Sequence, residues 1–458
     1  MPGFAIKCLT QMKQISGRVA FAGLIGITLF AQASAGFAQG LIRDAEIENT
    51  LAKIARPLFK SSGVGRNQIE ILVVNDSSLN AFVVNGRAIF LHSGLITRLE
   101  TVEMLQTVIG HELAHITSGH LVRRSLNQQS AQTAIGLGLL LGIAAAASGN
   151  SELAGGLAAG TTGSTIRNFL SHSRAEETSA DQVSVRYLVR AGIDPAAALD
   201  VMEIFRGQEA LSIGRQDPYT RSHPLSQDRI RALKGQIAAY SGRSVATSAD
   251  LKYWHARMQA KFSGFTGNPS YILRKLNKND RSEPAVMTRA IAYHRQGKLR
   301  LAMKQMSILL NKRPQDPYYR ELEGQILLEG DDAKSAVRAY KKAVALAPKE
   351  PLILAGYGRA LLALKTKSGD IQALKTLRRA RQMDPRDARM LRDLAVAWAK
   401  FGNNGMASLV TAERYALLSR FKDAQTNANR AAGLLPRGTI SWLRAQDILA
   451  ASKVALKK

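Results

Sequence analysis

Hydrophobic residues recur at helical spacing over residues 97–121. One face of this predicted helix carries, at i, i+4, i+7 and i+11, Met104, Val108, His111 and His115. Apolar residues on either side widen the face into a stripe, which is typical of a helix that packs on a protein core. The two histidines are therefore predicted to point toward the protein interior.

The start of this helix is predicted by Thr97-Arg98-Leu99-Glu100, which has the form of a capping box. In a capping box the threonine and glutamate side chains accept hydrogen bonds from backbone N–H groups that have no partner within the helix. The pattern therefore predicts a helix that begins directly after Thr97.

A second helical pattern covers residues 174–191. One face of this helix carries, again at i, i+4, i+7 and i+11, Glu177, Asp181, Ser184 and Leu188. Gly192 favours a helix end, and Asp194-Pro195 favours the start of the next helix. A carboxylate on this helix can approach the first helix if the two pack together.

From about Glu283 to the end of the chain, helical segments recur with a proline near the close of each unit. Pro314 and Pro348 are 34 residues apart, which is the tetratricopeptide (TPR) period, and Pro385 and Pro436 follow at less regular spacing. We expect about three repeats and a diverged or capping pair, arranged as a TPR-like α-solenoid over residues 283–458. A generic helical bundle is the alternative.

Residues 111–115 read His-Glu-Leu-Ala-His. Two histidines four residues apart on one helix face can bind one zinc ion, and the glutamate next to the first can act as a base. The alternative is that both histidines are core residues bonded to backbone. Their position on the buried face in mid-helix favours the zinc site.

Two zinc-bound histidines need a third protein ligand and leave a fourth position for water. His120 is out of register with the metzincin pattern. On a continuing helix it points away from His115, so it is expected at the surface or behind the ligands. Glu177 can reach the ion, and Asp181 can accept a hydrogen bond from a ligating histidine. Spacing alone leaves open that Glu176, Glu177 and Asp181 form a solvated acidic face.

This combination resembles the HtpX and CAAX-prenyl-protease family of zinc peptidases. The second motif of that family, Ser-Arg-x-x-Glu-x-x-Ala-Asp, stands here at residues 173–181. The resemblance covers about residues 45–235 and implies a gluzincin-type metallopeptidase domain, mainly α (α+β), with a small β-sheet. It also implies one Zn²⁺ per chain, bound by His111, His115 and Glu177. Glu112 would be the general base, and Asp181 would support a ligand from behind.

Substrate is expected to lie extended against an edge strand near Ala88–Leu91, where Ala88 and Phe90 would contact it through the backbone. Asn80, Ala81 and Phe82 would help to shape the same groove. Asn85-Gly86, just before the strand, is a good hairpin turn, although the family often has paired glycines there.

Ser222-His223-Pro224 follows a polar loop, and the family has a His-Pro segment near its active site at this place. His223 is a candidate catalytic residue that stabilises the oxyanion of the tetrahedral intermediate. It could instead occupy the open zinc position and silence the enzyme until substrate displaces it. A plain loop histidine is the third interpretation.

Residues 1–39 have the organisation of a secretory signal peptide. Three cations precede an apolar core over residues 19–30, and small-x-small cleavage patterns end at Ala33 and Ala35. The only cysteine, Cys8, lies before that core, so disulfides are not expected after cleavage. The compartment is predicted to be the periplasm, and association with its membrane surface stays open. The apolar segment over residues 135–147 is interpreted either as a lid or membrane contact, or as a buried core helix.

The remaining chain divides into a zinc metallopeptidase domain over residues 40–250, a linker helix over 251–282 and the repeats. The formal net charge is +28. Export and the lack of a recognition motif argue against nucleic acid, and an acidic surface such as anionic lipid or an acidic protein is the better partner. Expected substrates are misfolded envelope proteins, and the barrel-assembly machinery of the outer membrane is a possible partner. A TPR-based chaperone or assembly factor with secondary proteolysis is the alternative function.

Overall fold

The computed structural model describes residues 40–65, 68–84, 86–120, 174–212, 215–240 and 245–456. The predicted signal peptide and the apolar segment over residues 135–147 lie outside these ranges. Among the described residues, none of the helices is both long and apolar enough to span a bilayer.

A four-stranded mixed sheet forms one layer of the N-terminal part, with the order β1-β2-β4-β3. The strands are β1 (Leu41–Ile42), β2 (Glu70–Val74), β3 (Ala81–Val83) and β4 (Ala88–His92). β2 pairs with β4 in parallel, whereas β1 and β3 pair antiparallel with β2 and β4 respectively. Because β4 is paired on both sides, the prediction that Ala88–Leu91 is an edge strand is wrong. The outer strands among those described are β1 and β3.

Helices cover one face of this sheet. They are α1 (Ala45–Ser62), α2 (Ser93–Arg98), α3 (Val102–Thr117), α4 (Arg174–Arg190), α5 (Ala197–Ile204), α6 (Pro218–Ser222), α7 (Gln227–Ala238) and α8 (Ala249–Thr266). Except for α7, which packs on α4 and α5, their apolar stripes meet the inward side chains of β3 and β4 in one core that includes Leu58, Ile89, Leu91 and Leu105. This core holds α3 and α4 side by side.

The start of the helix that carries the two histidines differs from the prediction. α3 begins at Val102, and the Thr101 side chain accepts a hydrogen bond from Met104 N at 3.2 Å. Thr97 lies in the separate short helix α2, where its hydroxyl donates to Ser93 O at 2.7 Å. The capping-box prediction is therefore wrong, because the chain leaves the helical conformation at Leu99 and starts a new helix at the next capping residue.

Ten further helices form five antiparallel pairs in the described part of residues 283–456. They follow α9 (Pro269–Lys275) and are α10 (Glu283–Arg295), α11 (Leu299–Lys312), α12 (Pro317–Glu329), α13 (Ala333–Leu346), α14 (Pro351–Ala363), α15 (Lys367–Met383), α16 (Ala388–Lys400), α17 (Asn404–Leu417), α18 (Phe421–Leu434) and α19 (Ile440–Leu456). The predicted mainly α fold with a small sheet and a helical-repeat solenoid is confirmed.

Small residues let the solenoid helices approach each other closely. The ring of Tyr340 on α13 lies between Gly324 on α12 and Gly356 on α14. A Cβ atom at Gly324 would lie 2.6 Å from this ring, and one at Gly356 would lie 2.5 Å from it. Any larger residue at either position would therefore push two helices apart.

Helix α8 belongs to two hydrophobic cores. Its Met258 and Phe262 lie in the core of the N-terminal part, whereas Ala260 packs with Val286 and Ile291 in the first core of the solenoid. The predicted linker helix over residues 251–282 thus corresponds largely to α8, which is buried on two sides.

Buried ion pairs reinforce this junction. Arg257 on α8 is fully buried and lies 2.5 Å from Glu46 Oε1 at the start of α1 and 2.5 Å from Asp316 Oδ2 at the start of α12. Lys261, one turn further along α8, lies 2.7 Å from Asp44 Oδ2. The first turn of α1 is therefore connected through α8 to the solenoid.

Candidate metal centre

His111 and His115 lie one turn apart on α3, and both side chains are buried. Their Nε2 atoms are 3.1 Å apart, so the two rings point at the same place. Gly110, just before His111, lets α4 approach, because a Cβ atom there would lie 3.0 Å from Ser184 Oγ. The close packing of α3 and α4 brings the acidic face of α4 to the histidines.

Glu177 on α4 is fully buried between the two histidines. Its Oε2 lies 3.3 Å from His111 Nε2, and its Oε1 lies 3.3 Å from His115 Nε2. The alternative of a solvated acidic face is thus wrong for Glu177 and Asp181, both of which are buried. Glu176, in contrast, is half-buried.

His223 reaches the same point from the end of α6. Its Nδ1 lies 3.0 Å from Glu177 Oε1 and 3.3 Å from His111 Nε2. The backbone N–H of His223 donates to Tyr219 O at 2.8 Å, and the two rings are 4.6 Å apart. Tyr219 therefore fixes the position of this loop histidine.

Donor atoms from four buried residues converge here, and they lie within 4.8 Å of one another: His111, His115, Glu177 and His223. Nitrogen and carboxylate oxygen are the donors that zinc and similar divalent ions prefer. Imidazole nitrogens that face each other at 3.1 Å need a proton or a cation between them. The arrangement thus fits a metal ion.

Residues behind the donors hold them in place. Asp181 Oδ1 lies 3.0 Å from His111 Nδ1, and His120 Nδ1 lies 2.9 Å from His115 Nδ1. In each of the two histidines, the contact at Nδ1 thus orients the ring and with it the Nε2 atom that faces the metal position. Of the two predicted positions for His120, at the surface or behind the ligands, the structure shows the second. The expectation that His120 points away from His115 is wrong.

Arg229 on α7 is a residue of this site that the sequence did not predict. Its Nε and Nη2 donate to Asp181 at 2.5 and 2.9 Å, and its Nη1 lies 2.7 Å from Glu177 Oε2. The only signal in the sequence is that Arg229 shares the apolar face of α7 with Leu233, four residues further on. An arginine on a buried face needs a carboxylate partner, but the sequence does not say which one.

Comparison with known proteins now identifies this part of the chain. Residues 42–237 match peptidase family M48. We call residues 42–237 the M48 domain after this match. The matched range contains the two histidines, Glu112, Glu177, Asp181 and His223.

Similarity to one relative extends beyond the M48 domain. The chain is 25% identical to the beta-barrel assembly-enhancing protease of Escherichia coli (strain K12) over 412 residues, which are 88% of this chain and 82% of that protein. It is 26% identical to metalloprotease LoiP of the same organism over 198 residues, 43% of this chain and 73% of that one. A thermophilic TPR protein of Thermus thermophilus superposes with a TM-score of 0.28 at 18% identity, over 39% of this chain and 100% of its own.

The charges of the M48 site favour a bound cation. Burial lowers the pKa of His111, but the carboxylates of Asp181 and Glu177 outweigh burial and raise it to about 10. Burial would raise the pKa of Glu177, yet the charges of His223 and Arg229 hold it well below its usual range. The pocket is therefore built to stabilise positive charge next to an ionised carboxylate.

Glu112 differs from the other polar residues of the site. It is fully buried, and both of its carboxylate oxygens lack a hydrogen-bond partner within the described residues. His223 Nε2 lies 3.3 Å from Glu112 Oε1. Burial raises the pKa of Glu112, although the nearby histidines oppose this. Such a carboxyl group is suited to accept and return a proton.

The predicted substrate-contacting residues lie on both faces of the sheet. Ala81 belongs to the core under α3, whereas Phe82, Ala88 and Phe90 pack together on the opposite face, with the rings of Phe82 and Phe90 stacked 5.2 Å apart. Ala88 and Phe90 lie in the inner strand β4, so their backbone is already paired. The prediction that they contact substrate through an edge strand is wrong, because β4 pairs with β3 on one side and in parallel with β2 on the other.

β3 remains connected to the site. Asn80 O accepts a hydrogen bond from His92 N at 2.9 Å, while Asn80 Oδ1 is buried without a hydrogen-bond partner in the described ranges. Leu79 O accepts a hydrogen bond from Tyr219 N at 3.1 Å. The start of β3 is therefore fixed against α6, the helix that leads to His223.

Proposed function

We propose that the protein is a zinc-dependent endopeptidase of the bacterial envelope. It hydrolyses peptide bonds of misfolded or stalled envelope proteins, among them outer-membrane barrel proteins. The observation that carries this proposal is the convergence of His111, His115 and Glu177 on one buried point beside Glu112. The solenoid of residues 283–458 binds substrate or a partner protein.

The ion would be held by His111, His115 and Glu177, one Zn²⁺ per chain. These two nitrogens and one oxygen form a donor set that is common in catalytic zinc sites, and Asp181 orients His111 from behind. The chemistry that a bound zinc ion supplies is a lower pKa for water and polarisation of the scissile carbonyl.

Glu112 is the general base in this proposal. Its raised pKa and its unpartnered oxygens favour removal of a proton from the attacking water and its return to the leaving amine. Because Glu112 is next to His111 on α3, the same helix fixes the base and one ligand relative to each other.

Substrate would lie extended along β3, with Asn80, Ala81 and Phe82 at the edge of the sheet. Main-chain hydrogen bonds to an edge strand bind a peptide with little dependence on its sequence, which suits a quality-control enzyme. The hydrogen bond between Leu79 O and Tyr219 N places this strand next to the loop of His223.

His223 would regulate the site by occupying the position that water and substrate need. Its Nδ1 lies 3.0 Å from Glu177 Oε1, and it supplies the fourth donor of the cluster. A fourth protein ligand converts an open catalytic site into a closed one. If His223 instead stabilises the oxyanion, removing its ring should slow cleavage rather than speed it.

The compartment follows from the predicted signal peptide over residues 1–39, which directs the chain to the periplasm of a Gram-negative bacterium. The relative from Escherichia coli is named for the enhancement of beta-barrel assembly. Since the similarity spans both the M48 domain and the repeats, we infer that misfolded barrel proteins are substrates and that the barrel-assembly machinery is a partner.

A second function, that of a chaperone or assembly factor with secondary proteolysis, is favoured by the size of the repeat region. Ten helices of the described chain belong to the solenoid, and repeat stacks of this kind bind peptides and proteins. A protein without cleavage activity that still supports assembly of outer-membrane proteins would favour this second function.

The test is metal content together with casein cleavage, for the parent, Glu112→Gln and His223→Ala. We expect Glu112→Gln to bind as much zinc as the parent and to lose activity by about 100-fold or more. Parent protein without stoichiometric metal, or Glu112→Gln with full activity, would refute the proposal. His223→Ala should cleave casein faster if His223 blocks the site. Slower cleavage would assign it to the oxyanion, and an unchanged rate would exclude both roles.

A further inference from the structure

The charge of the protein is concentrated in the solenoid. Residues 283–458 contain 33 lysines and arginines but only 15 aspartates and glutamates. Several of these acids are used inside the fold. Asp316, Asp332, Glu350 and Asp387 cap helix starts, and Glu283, Asp384 and Glu413 form ion pairs. The acids thus serve local structure and leave an excess of cations at the surface.

The second helices of the first three pairs carry almost no acid. α11 and α13 have neither aspartate nor glutamate along their whole length. α15 has only Asp370, which pairs with Lys400 on α16 at 2.9 Å. An ordinary solvated helix face mixes charges of both signs, so a face without acids calls for a different explanation.

The cations of these three helices form stripes on the side opposite to the buried residues. On α13, for example, Lys334, Arg338 and Lys342 follow at i, i+4 and i+8, which is one helix face. We call the following ten exposed residues the basic face: Arg300, Lys304, Lys334, Arg338, Lys341, Lys342, Lys367, Lys375, Arg378 and Arg379. None of the ten forms an ion pair with a carboxylate in the described part of the chain.

The basic face lies on the outer layer of the solenoid. The first helices of successive pairs pack directly on one another, α12 on α14 and α14 on α16, so they form the inner layer. The ion pairs and hydrogen bonds to α8 and to the M48 domain also come from the starts of first helices, through Asp316 and Arg389, and from the turn at Asp384 and Arg386. α11, α13 and α15 therefore present their cations to the outside.

Apolar side chains lie among these cations. Leu301 and Ile308 on α11 are 42% and 37% exposed, and Ile371 on α15 is 50% exposed. A surface that contacts only solvent gains nothing from these residues. Cations interspersed with exposed aliphatic side chains are typical of surfaces that lie at the headgroup level of a bilayer.

We propose that the basic face docks the protein onto a membrane surface rich in anionic lipid headgroups. With about 1.5 Å of rise per residue, each of the three helices is roughly 20–25 Å long, and their cations together form one broad face. An outer layer of this breadth suits an extended planar partner better than a peptide, which repeat proteins bind on their inner, concave side. The ion pairs between the M48 domain and the solenoid use none of the ten cations, so the domain then remains free to take up substrate.

The test is co-sedimentation of the full exported chain with vesicles of phosphatidylcholine, with and without phosphatidylglycerol, at roughly 0.1 M salt. The face variant is the quadruple change Lys334→Gln, Arg338→Gln, Lys341→Gln and Lys342→Gln. The matched control removes the same charge from exposed positions of the M48 domain and α8, by Arg56→Gln, Lys60→Gln, Lys234→Gln and Lys252→Gln.

We expect the parent and the control to bind only the anionic vesicles and the face variant to bind at least about 100-fold more weakly. Casein cleavage by all three proteins should be equal, which shows that the variants are folded. Equal binding by face variant and control would mean general charge attraction and would overturn the proposal. So would capture of the parent by polyglutamate without any binding to vesicles, because that result assigns the basic face to an acidic protein.

Discussion

At the scale of single residues, His92 shows how burial sets a charge state away from the metal centre. It is the last residue of β4 and is 2% exposed, with its Nδ1 3.0 Å from Ser78 Oγ. Burial lowers the pKa of His92 to about 4, and Asp76, at 3.7 Å, offsets this only in part. The folded protein therefore holds a neutral ring where the unfolded chain takes up a proton.

This difference predicts a loss of stability in acid. Between the ordinary histidine pKa of about 6.5 and the folded value of about 4, the unfolded state binds more protons than the folded state. The free energy of unfolding should fall by about 3 kcal/mol as the pH drops through this window. Urea unfolding of the parent and His92→Gln at pH values on both sides of the window checks this. The same dependence on pH in both proteins would contradict it.

Much of the site could be predicted at this scale because helical spacing relates residues that are close in sequence. His111 and His115 share a face by their spacing, and the resemblance to a peptidase family added Glu177 and Asp181. Arg229 could not be predicted, since its partners lie on a different helix. The contact between His120 and His115 was missed for a related reason, because the chain does not continue as a regular helix after Thr117.

At the scale of elements, the junction between α1, α8 and α12 depends on charges in a dry environment. Arg257 is fully buried against Glu46 and Asp316, and its guanidinium lies 3.9 Å from the centre of the Tyr319 ring. Burial disfavours this charge, and Glu46 and Asp316 outweigh burial and raise the pKa of Arg257 further. Each ion in such a cluster is stable only while its partners are present.

Arg257→Met should therefore destabilise the protein by about 3–5 kcal/mol, since it removes the counter-ion of Asp316 and leaves Glu46 with Lys261 alone, at 3.4 Å. Chemical denaturation of the variant and of the parent measures this loss. Arg300→Met, at an exposed position of α11, is the matched control and should change stability by less than about 0.5 kcal/mol. Equal effects of the two substitutions would show that the buried pairs do not stabilise the junction.

Element positions were harder to predict than element types. The helix with the histidines and the helix with Glu177 are where their periodicity put them, but the capping residue is Thr101 rather than Thr97. A helix cap is predicted from a few neighbouring residues, and both Thr97 and Thr101 fit the requirement for a capping residue. β4 lies inside the sheet because it pairs in parallel with β2. The sequence of β4 alone does not predict this pairing.

At the scale of the whole molecule, the M48 domain and the start of the solenoid share one helix and one set of ion pairs. Met258 and Phe262 of α8 pack in the peptidase core, and Ala260 packs in the first solenoid core. Loss of either core exposes the apolar surface of the other. The two parts are therefore expected to unfold together.

Calorimetry of the full exported chain should show a single main transition that includes the peptidase core and the first repeats. Arg257→Met should lower the temperature of that transition as a whole. Two separate transitions, only one of which responds to Arg257→Met, would show that the two parts are independent. A fragment that ends before Ala249 should fail to fold, because it lacks the α8 residues that complete the peptidase core.

The shared helix also restricts how this architecture can change during evolution. A repeat array taken from another protein cannot simply be grafted here, since it would have to arrive with partners for Arg257 and Lys261 of α8, which Asp316 and Glu321 provide in this protein. The last pair is under no such restriction, because α18 and α19 pack on each other and on α17. Lineages can therefore lengthen or shorten the protein at its far end, while the first repeats are inherited together with the protease.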